Sequence, residues 1–261
     1  MAQDALIGHT GFVGSTLVAS NWNFGALFNS RNFEEMRGRR FGTVICAGVN
    51  AVKWLANKEP EADWRSIETL QNVLETVDAE RFVLVSTVDV YPRPIDVNED
   101  DVPIRGEGQP YGRHRVEFEH FVREHFSKCQ IIRLPALFGH GLRKNVIFDL
   151  LTGNLPHQIN PNGYFQWYPM RRFADDLRRV IKADVSLLNV AVEPLCTRKI
   201  VTCAFPGVRI GADDMPAMHY DMRTRHAALL GGAGNYHINA EESLEEIMLY
   251  VDAVSARGGR P

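Results

Sequence analysis

Three glycines in the stretch Gly8-His9-Thr10-Gly11-Phe12-Val13-Gly14 have a spacing that implies chemistry. They follow a short apolar run, Ala5-Leu6-Ile7, and open a helical pattern from Phe12 to Ala19. The first two glycines permit a tight turn with its backbone against a pyrophosphate, the helix N-terminus supplies N–H donors, and the third lets helix and strand approach. This is the pattern of a dinucleotide site, with Gly8, Thr10, Gly11, Phe12, Val13 and Gly14 as candidate contacts. A plain tight turn is the alternative use of the same residues.

About 20 positions onward, at the end of a second strand, an acidic side chain would hold a ribose 2'-hydroxyl. The sequence there reads Asn29-Ser30-Arg31. With no carboxylate and a guanidinium able to take a 2'-phosphate, NADP is expected, NAD being the alternative. A solvated surface arginine is the other reading of Arg31.

The elements that must position these residues alternate short apolar runs with helical patterns, as in a doubly wound parallel sheet. Strands are expected at 5–7, 26–28, 43–46, 82–85 and 130–134, apolar on both faces as buried parallel strands are. The stretch 29–43 is too short for a crossover helix and reads as a loop with one helical turn. From Asp63, Ile67, Leu70, Val73, Leu74 and Val77 recur at helical intervals. A Pro-rich loop runs from Tyr91 to Pro110, and Tyr111–His125 is helical again. After Gly141 the pattern loosens, with helices near 145–151, 173–182 and 240–253. The expected division is a Rossmann domain over 1–140 and a small C-terminal substrate-binding lobe over 141–261, with about 172–205 returning to the first domain.

Composition sets the outer limits. The 261 residues are 45% hydrophobic and 23% charged, which fits an ordered globular protein and not a disordered one. Twenty-nine Lys and Arg against 32 Asp and Glu leave a formal charge of -3, with no basic footprint for nucleic acid. Cys46, Cys129, Cys196 and Cys203 have no C-x-x-C spacing and read as free thiols of a cytoplasmic protein. No run of about 18 apolar residues suggests a membrane span. His114, His120 and His125 lack metal-ligand spacing, so no metal is expected.

At four places the chain resembles the extended short-chain dehydrogenase/reductases, the NAD-dependent epimerase/dehydratase family acting on nucleotide sugars. These are Gly8 to Gly14, Val85-Ser86-Thr87-Val88-Asp89-Val90-Tyr91, Pro110-Tyr111-Gly112-Arg113-His114-Arg115, and Arg133-Leu134-Pro135-Ala136-Leu137-Phe138-Gly139. Thr87 lies four residues before Tyr91, and Tyr111 follows Thr87 by 24, the spacings of the resembled family. The resemblance implies Tyr111 as acid/base and Thr87 as anchor of the reacting oxygen. A phenol has a pKa near ~10 and needs a neighbouring cation to be useful. Position 115, one helical turn on, is Arg where the family has Lys. Arg115 keeps the charge and is the expected electrostatic and ribose partner, but its planar fork is not a point charge. Cys46, Ala47, Gly48 and Pro135, at strand ends, join Tyr111 and Arg115 among the implied cofactor contacts.

The resemblance also implies a second acid/base at Asp89, two positions after Thr87; fixing the following loop is its alternative role. Val88 stands where the dehydratase pattern has Asp, so epimerisation or keto reduction is favoured over dehydration. Asn145, Arg171 and Arg172 are the implied contacts to a nucleotide sugar or related carbohydrate, with Gln166, Trp167 and Tyr168 lining a sugar pocket or filling core. The family's phosphate-binding Arg, seven before Asp176, is replaced by Pro169. The apolar helices after Asp63 and Tyr111 could pair in a homodimer or cover the sheet. With Lys lost at 115, a non-catalytic NADP-binding regulator or sensor of the same superfamily is the alternative to an enzyme.

Overall fold

The computed structural model describes residues 2–212, 214 and 217–258. Among the described residues twelve strands form: β1 Ala5–Ile7, β2 Ala26–Phe28, β3 Arg40–Cys46, β4 Asp78–Thr87, β5 Ile95–Val97, β6 Cys129–Leu134, β7 Ala136–Phe138, β8 Tyr164–Phe165, β9 Trp167–Pro169, β10 Leu187–Asn189, β11 Leu195–Cys196 and β12 Asp221–Met222. The helices are α1 Phe12–Ala19, α2 Lys53–Lys58, α3 Pro60–Leu74, α4 Pro110–His125, α5 Val146–Thr152, α6 Phe173–Ala183, α7 Thr197–Ala204 and α8 Ala240–Ala256. Among the described residues no helix is long and apolar enough to cross a membrane.

Six strands form one sheet in the order β10-β6-β4-β3-β1-β2. The β1–β2, β1–β3, β3–β4 and β4–β6 pairs are all parallel, so this is the doubly wound Rossmann arrangement expected. From β1 the chain goes to β2 on one side, then crosses to β3 on the other. That reversal at β1 makes the carboxyl edge between β1 and β3 the switch point where such sheets bind ligands. The crossing from β2 to β3 contains only the short 3-10 turn Phe33–Met36, matching the single helical turn read from its length.

The contacts divide the chain into two compact units. One contains Met1–Arg93, Glu99–Leu134 and Ala174–Leu188; the other contains Pro94–Asn98, Pro135–Phe173 and Asn189–Pro261. These bounds differ from a cut at 140, because β5 pairs with β12 and β7 with β9, so 94–98 and the residues from Pro135 on belong with the second unit. The returning segment is α6 and the start of β10, shorter than 172–205.

In the first unit, Ile7, Phe41, Val44, Phe82, Leu84 and Ile131 of the sheet bury against Ile67, Leu70, Val73 and Leu74 of α3 and Phe118 and Val122 of α4. α3 begins with Pro60 at its first position and Glu61 and Asp63 in its first turn, both favourable at a helix N-terminus. α4 likewise starts on Pro110 and ends with Arg123 and His125 in its last turn. The second unit packs Phe138, Trp167, Tyr168, Leu244 and Ile247 in its interior. α8 there is closed by a reciprocal cap, with Asn239 on the Glu242 N–H and Glu242 on the Asn239 N–H.

Candidate active site

The glycine turn folds as its spacing demands. Gly8 has φ +86, and a Cβ there would stand 2.3 Å from the Ala47 carbonyl oxygen; a Cβ on Gly14 would stand 2.1 Å from the Gly8 oxygen. The turn is thus pressed between α1 and the end of β3, where Ala47 donates its N–H to the Ile7 carbonyl at 2.9 Å. The N-terminus of α1 has no side-chain cap and no acidic residue in its first turn. Open backbone donors and the helix dipole suit a phosphate there, so the residues present fit the diphosphate of a dinucleotide. Beside the turn, His9 Nδ1 lies 3.0 Å from the Phe28 carbonyl oxygen and Asn29 Nδ2 lies 3.5 Å from His9 Nε2. Asn29 Oδ1 in turn accepts the Arg31 N–H at 2.8 Å. The Arg31 side chain, next to Ser30, is exposed.

Thr87 ends β4 on the same carboxyl edge, and its hydroxyl accepts the Asp89 N–H at 3.2 Å, which closes the 3-10 turn Val88–Val90. Tyr111 stands at the second position of α4, where its N–H is one of the helix's orphan donors. Asn57 Oδ1 of α2 accepts that N–H at 2.9 Å. α4 meets the turn at close quarters because residue 112 is glycine: a Cβ there would lie 1.9 Å from the Asp89 carbonyl oxygen. Gly112→Ala is expected to push α4 off the turn and cost about 1–3 kcal/mol; urea denaturation checks this, and unchanged stability would contradict the close approach.

The Tyr111 side chain is buried, and the Thr87 hydroxyl lies close enough to act on its phenol. Burial pushes its phenol above the ordinary range; the Arg115 charge pulls it back, Asp89 pushes it up again, and the Thr87 hydroxyl and Lys53 oppose that. Arg115 is almost entirely buried, with its guanidinium carbon 3.9 Å from the centre of the Tyr111 ring. Its Nη1 and Nη2 donate to Asp63 Oδ2 and Oδ1 of α3 at 2.6 and 2.9 Å, Nη1 also donates to the Tyr111 carbonyl at 2.9 Å, and Nη2 donates to the Asn50 carbonyl. Asp63 additionally holds His114 Nδ1 at 2.8 Å. The arginine is therefore a fixed plate on the phenol ring, its charge matched by a buried carboxylate. No sequence spacing singles out Asp63, because it lies in another helix; the signal available was only that a buried Arg needs a counterion.

Asp89 pairs with Lys53 Nζ at 2.6 Å. Cys46 is fully buried, and burial pushes its thiol up to about 12. Gly48 lies beside β1, its missing Cβ leaving room for Ile7. Pro135 directly follows β6.

Substrate-side candidates all fall in the second unit. Gln166, expected to line a sugar pocket, is instead fully occupied inside: Nε2 donates to the Val192 and Met222 carbonyls at 2.5 and 2.7 Å and Oε1 accepts the Met222 N–H at 2.7 Å. Tyr168 and Trp167 are likewise core, because the short strand β9 is covered on both faces. Asn145 caps α5, its Oδ1 accepting the Phe148 N–H at 3.1 Å and its Nδ2 donating to the Leu137 carbonyl at 2.8 Å, with φ at 118, a rare value for a residue with a side chain. Arg171 Nε donates to Glu246 at 2.6 Å from a side chain 68% exposed. Arg172 donates to the Leu230 carbonyl at 3.1 Å.

Solved structures share this fold over nearly their whole length. The dTDP-4-dehydrorhamnose reductase of Yersinia enterocolitica aligns over 97% of this chain and 99% of its own, with a TM-score of 0.74 and 14% identity. RMD from Pseudomonas aeruginosa complexed with NADPH aligns over 96% and 100%, at 0.69 and 15%. The UDP-glucose 4-epimerase of Thermotoga maritima, solved with UDP-glucose, aligns over 97% and 99%, at 0.71 and 17%. No curated protein matches the sequence. The family profile described as NAD dependent epimerase/dehydratase matches residues 21–156, which carry β2, β3, β4, Thr87, Tyr111 and Arg115. With that match and this sheet, the chain belongs to the NAD-dependent epimerase/dehydratase family.

Proposed function

We propose that this chain is an NADP-dependent oxidoreductase or epimerase that acts on a nucleotide sugar or related carbohydrate, with Tyr111 as its acid/base. The observation that carries the reading is the buried Tyr111 phenol beside Thr87, with the Arg115 guanidinium over its ring. The dinucleotide, when bound, supplies or accepts the hydride. The chain's own residues do the rest: the Gly8 to Gly14 turn takes the diphosphate, and Arg31 takes the 2'-phosphate. Thr87 holds the substrate oxygen by hydrogen bond, and Tyr111 gives that oxygen a proton or removes one. A phenol held above its ordinary range is protonated at neutral pH and favours the direction that reduces a carbonyl. NADPH in one structural relative and UDP-glucose in another support the cofactor and substrate class. On the second unit, Arg171 and Asn145 are the proposed sugar-nucleotide contacts; Arg171 is exposed enough to exchange Glu246 for a phosphate.

NADPH binding followed by a screen of keto nucleotide sugars, read at the nicotinamide absorbance band, tests the proposal. Oxidation of NADPH with one sugar class is the expected result. One observation favours a second reading, a cofactor-binding regulator: Arg115 is bound to Asp63 and is not free to reach a ribose. Tight NADPH binding with no turnover in any sugar class would establish that reading instead.

A further inference from the structure

Two cations act on the Tyr111 phenol, and they differ in kind. Arg115 stays charged at any physiological pH and is locked to Asp63 in the interior. Lys53 is an ammonium on a flexible stem, 40% exposed, and is held by Asp89, whose side chain is 19% exposed. The fold places it there for a local reason. Lys53 and Asn57 are one turn apart and share a face of α2. Asn57 docks that face on α4 by accepting the Tyr111 N–H, so the preceding turn brings Lys53 to the 3-10 turn between Thr87 and Tyr91.

We propose that Lys53 is a positioning residue for Tyr111 and that the Lys53–Asp89 ion pair is the adjustable part of the charge around that phenol. Asp89 thereby acts through its lysine and the tyrosine, not as a second acid/base on the substrate. The proposal rests on Tyr111 being the acid/base group. The charges facing the phenol are Arg115 from α4, Asp89 from the turn and Lys53 from α2, with Asp63 of α3 behind Arg115. Of these described charges, the Lys53–Asp89 pair is the part open to solvent, so a substrate or salt that draws either partner away changes how firmly Tyr111 holds its proton. Removing the ammonium must raise the phenol's proton affinity and removing the carboxylate must lower it.

The test is an NMR titration of the full chain carrying 13Cζ-labelled tyrosine, with the Tyr111 signal assigned by its loss in Tyr111→Phe. Lys53→Met is expected to move the Tyr111 midpoint up by about one unit and Asp89→Asn to move it down by about one unit. The double variant should lie between them, and Lys53→Arg should restore the native midpoint. An unmoved midpoint, or the same direction of shift in both single variants, would overturn the proposal. Asp89→Asn preserves size and Lys53 is partly exposed, and thermal melts of each variant verify folding. The titration needs neither cofactor nor sugar. Opposite shifts in a chain that turns over no sugar would leave the charge pair standing while removing the enzymatic reading.

Discussion

Tyr111→Phe is expected to lower sugar turnover by about 10²–10⁴-fold, the usual worth of a positioned acid/base group, with NADPH affinity changed far less. The separation is physical. Phenylalanine preserves the ring that the Arg115 guanidinium covers at 3.9 Å, so α4 keeps its packing and only the hydroxyl beside Thr87 is lost. Absorbance at the nicotinamide band reads the first quantity and NADPH fluorescence titration the second; full turnover in the variant would exclude Tyr111 as the proton donor. The pH profile follows from the same group. Burial is the largest influence and raises the phenol above its ordinary value of about 10. The protonated form is the donor in reduction, so the native reduction rate should stay level through neutral pH and fall only as pH rises past that raised value. The reverse oxidation needs the phenolate and should rise with pH over the same range.

Glu119→Ala is expected to cost about 3–5 kcal/mol of stability, since it leaves a buried guanidinium uncompensated. The Glu119 carboxylate accepts from Ser86 Oγ at 2.6 Å and from Arg133 Nε and Nη2 at 3.0 and 2.6 Å. Both charged side chains are nearly inaccessible, at 3% for Arg133 and 4% for Glu119. Arg133 Nη1 also donates to the Tyr91 hydroxyl at 2.6 Å. One ion pair therefore ties α4 to β4, β6 and the residue that follows the Thr87 turn. Against a typical total of about 5–15 kcal/mol, this loss takes a large share of the folding free energy. Urea unfolding followed by circular dichroism measures it. The double variant Glu119→Met, Arg133→Met should recover much of the loss, because removing both charges leaves neither unpaired; a double variant as unstable as the single one would place the cost in packing instead.

Much of the first unit was legible because its signals are local. β1, α1 and β2 fall where 5–7, 12–19 and 26–28 were read, since the glycine turn marks the strand end and helix start together. α4 is bounded by Pro110 and by the end of its apolar spacing, and the Thr87 hydroxyl is close enough to lower the Tyr111 phenol. β3 and β4 run longer than read, from Arg40 and from Asp78, because polar residues at their starts pair with each other rather than showing apolar runs. α2 was missed: six residues with a single buried side chain, Ala56, carry no helical period. With it went Lys53 and Asn57. β5 was hidden in the Pro-rich loop because its partner, Asp221–Met222, comes from far along the chain. Gln166 and Tyr168 looked like ligand-facing residues only because sequence cannot tell a polar side chain consumed by backbone from one presented to a ligand. Arg115 was visible as a departure, but its consequence depended on Asp63, 52 positions away.

The sheet is also tapered. β4 has ten residues and β3 seven, while the two outermost strands, β2 and β10, have three each. An edge strand is where a foreign chain can add itself by backbone pairing, and short edges are one way proteins resist aggregation. By crossing directly from Phe28 to Arg40 without an additional outer strand, the chain leaves only a three-residue strand at that margin, and Asn32 already donates to its Leu27 carbonyl. The shortened connection thus acts as protection against sticking to other copies, and lengthening β2 by engineering would be a direct route to insoluble protein.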